Sequence, residues 1–347
     1  MTRMLLAGVV ASLLVVLLGP FFIRWATRRE FGQEVREDGP RSHTVTKQGT
    51  PTMGGLLILF GVTAAFLPYW LIGRTHTDFG LVVYATMMMC AAIGFWDDAM
   101  KVVNKRSLGI NGKTKMLILA LITVFLGWSS HSLLHISTVI EIPFTTSQVD
   151  LGWGYYLLLF FVLAGTSNTV NLADGLDGLA ATTVVISLFA FTGIAFVLWD
   201  RQLGTVPPLS IGGPGALDIA IFCSALGGSL VGFLWWNAYP ARVFMGDTGS
   251  LALGGALAAI AVVLKVELLL VVIGGIFVVE GLSVMLQTTV FKLSRRLTGT
   301  PRRLFLMAPI HHHFELKNWS ETQVMTRFAI VASLFSATGF TIWFRTH

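Results

Sequence analysis

Charge is scarce in this chain: of 347 residues only 12% are Asp, Glu, Lys or Arg, while 54% are hydrophobic. A soluble domain carries about 25% charged residues, so a water-soluble enzyme of this size is excluded. Cysteine is scarcer still. Its two copies, Cys90 and Cys223, both fall in apolar runs, where a free thiol behaves as a small hydrophobe, and a disulfide scaffold is excluded with them. Low polarity without a Gly-X-Y period removes disorder and collagen. What the chain has in quantity is aromatic and small residues, with 25 Phe, 10 Trp and 36 Gly. In this background they indicate a polytopic membrane protein whose aromatics serve as packing groups and interface anchors.

A hydrocarbon core about 30 Å thick takes roughly 20 apolar residues per helix. Stretches of that kind lie near 4–23, 53–73, 80–96, 116–134, 153–170, 178–199, 216–236, 249–264, 268–290 and 324–344. The expected fold is therefore an all-α membrane protein of ten transmembrane helices. Assigning alternate loops to opposite sides puts 18 Lys and Arg on one face and five on the other, with Arg327 opening the last span. The positive-inside rule makes the richer face cytoplasmic and sets both termini outside. The first apolar run is of spanning length and precedes an Arg-rich loop, so a cleaved signal peptide is not expected. Linkers are short and nothing repeats, which predicts a single membrane domain over 1–347. The net charge of +6 follows this loop asymmetry, and no nucleic-acid partner is expected.

The outer loops, 135–152 and 200–215, hold scattered Ser, Thr, Pro and Gly; the inner ones hold dense polar clusters. Asp97-Asp98-x-x-Lys101 ends the third span, with Lys113 and Lys115 downstream. Two adjacent carboxylates at a membrane boundary need a neutralising cation, unless they merely cap a helix end. Asn168 to Gly178 contains Asp174 and Asp177, three apart and so on one face of a helical turn, with Gly175 and Gly178 allowing close approach. A tight turn alone is the plainer reading. Asn237-Ala-Tyr-Pro-Ala is followed by Phe244-Met-Gly-Asp247-Thr-Gly-Ser. Asp247 is an oxygen ligand of the kind Mg²⁺ takes together with substrate phosphates, and Phe244 is either an interface anchor or a platform for a base. His311-His312-His313 follows a run of arginines; without cysteine or a His-Glu-x-x-His spacing it suits phosphate contacts or proton handling better than zinc. Glu280 lies inside the ninth span, with Ser283 and Gln287 at helical spacing. That stripe serves either function or an interhelical hydrogen bond. Lys265 and Glu267 read as loop residues at the outer edge. Lys47 to Gly55 brings a cation and the hydroxyls of Thr50 and Thr52 to a helix start, a setting that favours anions. Acids for a divalent ion, cations for phosphate and an aromatic for a ring, all on one face, describe phosphoryl transfer between a soluble substrate and a phosphorylated lipid.

The motifs Thr50-Pro-Thr-Met-Gly-Gly55, Asp97-Asp98-x-x-Lys101, Asn171-Leu-x-Asp174-Gly-Leu-Asp177-Gly178, Asn237-Ala-Tyr-Pro-Ala241, Phe244-Met-Gly-Asp-Thr-Gly-Ser250 and Ala308-Pro-Ile-His-His-His-Phe-Glu-Leu316 run in order along nearly the whole chain. Together they resemble the phospho-N-acetylmuramoyl-pentapeptide-transferase family, a branch of the polyprenyl-phosphate N-acetylhexosamine-1-phosphate transferases. The aspartates belong to the wider superfamily and the triple histidine to the muramoyl branch. The resemblance implies that UDP-N-acetylmuramoyl-pentapeptide and undecaprenyl phosphate react with Mg²⁺ to give lipid I and UMP, in the bacterial cytoplasmic membrane. It implies Asp97, Asp98, Asp247, His311, His312 and His313 as catalytic residues, with Asp247 the metal ligand. It also implies Lys47, Thr52, Asn171, Asp174, Asp177, Asn237, Phe244 and Gln287 around nucleotide and metal, Phe244 against uracil, Lys101 and Lys113 on phosphates, and a homodimer. Arg242 and Asn318 depart from the family's frequent lysine and glycine, beside the key positions. A UDP-N-acetylglucosamine transferase is the runner-up within the class, which the 308–316 segment separates. An ion-coupled transporter is the reading outside it, opposed by acids that crowd helix ends instead of the midplane.

Overall fold

The structure is a computed structural model, and it describes residues 1–29, 49–72, 77–104, 109–145, 147–201 and 211–346. Among these, ten helices are long and apolar enough to cross a membrane. They are α1 (Thr2–Arg28), α2 (Gly55–Ile72), α3 (Asp78–Asn104), α4 (Gly112–Trp128, prolonged by a π turn to Leu133), α5 (Gly154–Ala173), α6 (Leu179–Asp200), α7 (Gly212–Asn237), α8 (Gly246–Val263), α10 (Gly275–Thr298) and α12 (Glu321–Thr346). Two short helices complete the count, α9 (Leu270–Ile273) and α11 (Ile310–Glu315).

The all-helical expectation needs one addition. Between α4 and α5 the chain forms an antiparallel ribbon, β1 (Val139–Glu141) on β2 (Gln148–Asp150), with Ile140 opposite Val149. The run Val-Ile-Glu and the turn residues after it favour a hairpin. Thr138 Oγ1 and Gly152 N–H donate to Asp150, and these bonds hold its carboxyl below the usual range.

Helix α8 is the axis of the bundle. Its sequence, Ser-Leu-Ala-Leu-Gly-Gly-Ala-Leu-Ala-Ala, is small on every side, and every residue from Thr248 to Val263 is buried. Small residues let helix backbones approach closely where lipid supplies no hydrophobic drive. A β-carbon at Gly254 would overlap Ser167 of α5, and one at Gly94 of α3 would overlap the Asp247 carbonyl. The periphery has the opposite pattern. Helix α1 buries a narrow stripe, Met4, Ala7, Ala11, Val15 and Gly19, against α7 and α2, and exposes Leu5, Leu6, Val9, Leu13, Leu17 and Phe21. That is the arrangement of a helix facing acyl chains.

Two spans differ in extent from expectation. The third helix does not stop at the Asp pair but continues to Asn104, so Asp97, Asp98 and Lys101 ride on helical backbone. The ninth apolar stretch breaks at Gly274, after the turn of α9, and α10 then runs to a left-handed Gly299 at φ 72°. Nothing in α10 beyond Ser283 is buried, so its second half leaves the packed body. Arginines 295 and 296 in its last turn complement the helix dipole.

Candidate active site

Four helix ends meet at the acids. Asp98, on α3, accepts from Asp247 N–H at 3.0 Å, Thr248 N–H at 2.8 Å and Thr248 Oγ1 at 2.7 Å. Its carboxylate therefore caps the start of α8 from a neighbouring helix, satisfying N–H groups that a helix leaves open. The turn into α8 is made by Gly246 at φ 74°, where a β-carbon would sit 2.6 Å from Asp98 Oδ2. Asp247 is thereby set in the first helical turn, where Asn171 Nδ2 of α5 donates to its Oδ1 at 2.8 Å. The same amide reaches Ser250 Oγ at 2.8 Å.

Asp97 faces the other way. Ile110 N–H donates to its Oδ1 at 2.8 Å and Lys101 Nζ lies 2.6 Å from its Oδ2. Lys101 is also 3.2 Å from Asp247 Oδ2, and Lys115 Nζ stands 3.1 Å from that oxygen and 3.8 Å from Asp97 Oδ1. Ligand oxygens of Asp97, Asp98 and Asp247 lie within 4.8 Å of one another. Such a set of hard oxygen donors fits a small divalent cation far better than a soft one. Asp97 and Asp247 have oxygens turned toward the two lysines, whereas Asp98 is engaged on α8. The three carboxylates together form a group that could hold such an ion.

Of the two lysines downstream of the Asp pair, the resemblance carries Lys113 to the phosphates, and it is Lys115 that reaches the acids here. The structure leaves Lys113 exposed on the first turn of α4, its backbone N–H bonded to the capping Asn111. Helical phase carries the missed signal: Lys115 lies one turn before Leu119 and two before Ile122, both on the buried face.

Beside the acids, two loops interlock. The 49–55 segment docks on 243–246 through Phe244 N–H to Pro51 O, Gly54 N–H to Phe244 O and Gly55 N–H to Met245 O, each at 2.8 Å. Thr52 is buried in this joint next to Gly246, and Phe244 is half-buried at its edge. Asp174 and Asp177 do not share a helical face. Helix α5 ends at Ala173, Gly178 is left-handed at φ 75°, and the two acids lie on an irregular turn between. Asp177 Oδ2 accepts from Ala241 N–H at 2.9 Å, and its own N–H donates to Glu321 of α12 at 2.9 Å. Asn237 accepts from Gly178 N–H at 3.1 Å and donates to Val243 O at 2.9 Å. Both side chains tie the 174–178 turn to the segment that carries Phe244 and Asp247. Lys47 lies outside the described residues.

The histidines occupy three settings. His311 is fully buried with Nδ1 3.0 Å from Glu280 Oε1. His312 Nδ1 lies 2.6 Å from Glu315 Oε2. His313 Nδ1 accepts from Leu306 N–H at 3.1 Å, which fixes the neutral ring with its proton on Nε2. Burial, and then Lys317, hold the His313 pKa below the ordinary imidazole value, in keeping with that neutral form. Gln287 accepts from Leu304 and Phe305 N–H at 3.0 and 2.9 Å and donates to Phe305 O at 3.1 Å, so its amide engages the loop before the histidines.

A ten-span bundle with a carboxylate and lysine centre at its helix ends defines a membrane-embedded transferase, and residues 80–265 match the profile of glycosyl transferase family 4. Residues 47–59 match the phospho-N-acetylmuramoyl-pentapeptide-transferase signature 1. Similar curated proteins of that description come from Rubrobacter xylanophilus (43% identical, covering 99% of this chain and 98% of the relative) and Geobacillus kaustophilus (45%, 96% and 96%). A third is from Frankia alni, 45% identical over 99% of this chain and 98% of the relative. The chain belongs to the phospho-N-acetylmuramoyl-pentapeptide-transferase family.

Proposed function

We propose that the protein transfers phospho-N-acetylmuramoyl-pentapeptide from its UDP conjugate to undecaprenyl phosphate, giving lipid I and UMP in peptidoglycan synthesis. The observation that carries this reading is the Asp97, Asp98, Asp247, Lys101 and Lys115 centre, on a chain that belongs to the family throughout its length. A terminal oxygen of the lipid phosphate attacks the sugar-bearing β-phosphorus. The bond from that phosphorus to the bridging oxygen breaks, and the oxygen leaves on UMP. A phosphate monoester has its second pKa near ~6, so the nucleophile is largely dianionic at neutral pH and Asp97 needs only to take a residual proton and orient the attacking oxygen. Lys101 and Lys115 neutralise charge on the phosphates, and Phe244 stacks on uracil at the edge of the interlocked loops. Asp247 and Asp97 would hold Mg²⁺, which would supply Lewis-acid neutralisation of the phosphate oxygens.

The same reading sets the acid-bearing helix ends in the cytoplasm, where the nucleotide is available, and both termini outside. It takes 1–347 as one membrane domain, supported by a core that is continuous from α1 to α12. It takes the working unit as a homodimer.

The test is UMP release by detergent-purified protein given undecaprenyl phosphate, Mg²⁺ and either UDP-N-acetylmuramoyl-pentapeptide or UDP-N-acetylglucosamine. Turnover of the muramoyl substrate alone, abolished by EDTA and by Asp247→Ala, is expected. Turnover of the N-acetylglucosamine substrate instead moves the protein to the sister branch.

A further inference from the structure

Glu280 is a carboxylate with no exposed surface, inside a membrane-crossing helix, and the reaction above does not call on it. An ionisable group in that position is costly unless its acceptors are filled. They are filled by one segment. Oε1 lies 3.0 Å from His311 Nδ1 and Oε2 accepts from Ile310 N–H at 3.1 Å, the two residues that open α11. Seven residues on, and so on the same helix face, Gln287 grips Leu304 and Phe305 by three backbone hydrogen bonds. The polar stripe of α10 is thus a two-point dock for the 304–313 segment.

The dock also determines what His311 presents. With Oε2 already accepting from Ile310 N–H, the dock favours the arrangement in which Nδ1 donates to Oε1 and Nε2 is the ring nitrogen turned away. Nε2 is buried without a hydrogen-bond partner. It is aimed at the 174–178 turn: a β-carbon at Gly175 would overlap it. From that turn Asp177 reaches Ala241 N–H, and Asn237 on Val243 O carries the contact on toward Phe244 and Asp247.

We infer that Glu280 is a positioning residue for the transfer reaction: it fixes the tautomer and depth of His311, and through the imidazole it sets the turn that carries Asp174 and Asp177. The inference rests on the proposed reading of the histidine segment as part of the active site. Replacement by Gln keeps the volume but presents an amide donor where Ile310 or His311 already donates. A misplacement of about 1 Å costs on the order of 10² in rate. Glu280→Gln should therefore lower kcat about 10²-fold with KM for the UDP substrate changed less than about threefold, while Glu280→Asp, which keeps both acceptors, recovers part of the loss.

The experiment is a double-mutant cycle on the full-length enzyme in detergent, with Glu280→Gln, His311→Gln and the pair, reading UMP release and thermal unfolding of each. A residue that works through His311 adds less than about threefold to the loss caused by His311→Gln alone, because coupled neighbours are not additive. Additive losses, or a loss that tracks unfolding in all three variants, would overturn the inference and leave the reaction assignment intact. Wild-type turnover in His311→Gln would overturn both the catalytic reading of the histidines and the inference built on it. Loss in His311→Gln with full turnover in Glu280→Gln overturns the role of Glu280 alone.

Discussion

Asp97 and Asp98 are chemically identical neighbours whose surroundings divide the work between them. Asp98 meets three donors from the first turn of α8, so its charge is matched by the positive end of a helix. Asp97 meets Lys101 and a single backbone N–H, with Lys115 Nζ 3.8 Å from its Oδ1. Asp98→Ala removes a helix cap and should cost about 1–2 kcal/mol of stability, seen as a lower Tm in detergent. Asp97→Asn should leave Tm in place and reduce kcat on the order of 10²–10⁴-fold. If instead Asp97→Asn unfolds the protein and Asp98→Ala does not, the division is wrong. The residue types of this centre were legible in the sequence because phosphoryl transfer needs acids, cations and a helix start, and these fall together in short motifs. The division between two adjacent carboxylates was not, since it depends on which neighbouring helix end each one meets. Lys115 follows from helical phase alone; the motifs name Asp177 and Asn237 but not what they bond, because their partners, Ala241 N–H and Gly178 N–H, lie more than fifty residues away in sequence.

At the scale of elements, the turn between α8 and α9 shows how a polar pair can look like an exit into water and be the reverse. Lys265 and Glu267 do lie in a turn, as expected, yet each is only 2% exposed. Lys265 Nζ lies 2.9 Å from Glu267 Oε1 and donates to Tyr155 OH and to Ser137 O at 3.1 Å, while Tyr155 OH donates to Glu267 at 2.6 Å. One knot thus fastens α8, the start of α5 and the approach to the β ribbon. Nothing local in the sequence announces it, because the covering ribbon is more than a hundred residues upstream. Removing one partner of a buried pair leaves the other charge uncompensated, at about 3–5 kcal/mol, whereas an apolar replacement of both is often nearly neutral. Lys265→Met should therefore lower the unfolding temperature sharply and the double substitution Lys265→Met with Glu267→Leu should restore most of it. Equal destabilisation in both would show that the charges do not act as a pair. The overrun of α3 and α10 past their apolar windows has a related cause: hydropathy marks where lipid ends, while backbone hydrogen bonding continues beyond it, in α10 until the left-handed Gly299 stops it.

At the scale of the whole molecule, the acids, the histidine segment and the arginines near 295–303 lie at helix ends and connections that alternate counting assigns to one side, and 18 of the 24 Lys and Arg fall there with them. A membrane sorts loops by that excess, and the same excess draws a polyanionic nucleotide to the helix ends where Asp247 and Lys115 stand. Orientation and substrate access are in this way two consequences of one charge distribution. The protein is well suited to a direct test, since its own cysteines, Cys90 and Cys223, are both buried and give a membrane-impermeant thiol reagent little to react with. Thr145→Cys, exposed beside the β ribbon, and Thr300→Cys, exposed after α10, report the two faces. In intact spheroplasts Thr145→Cys should label at once and Thr300→Cys only after lysis. The reverse pattern would put the acid centre outside, away from any cytoplasmic nucleotide, and the assignment of UDP-N-acetylmuramoyl-pentapeptide as its substrate would have to be abandoned with the topology.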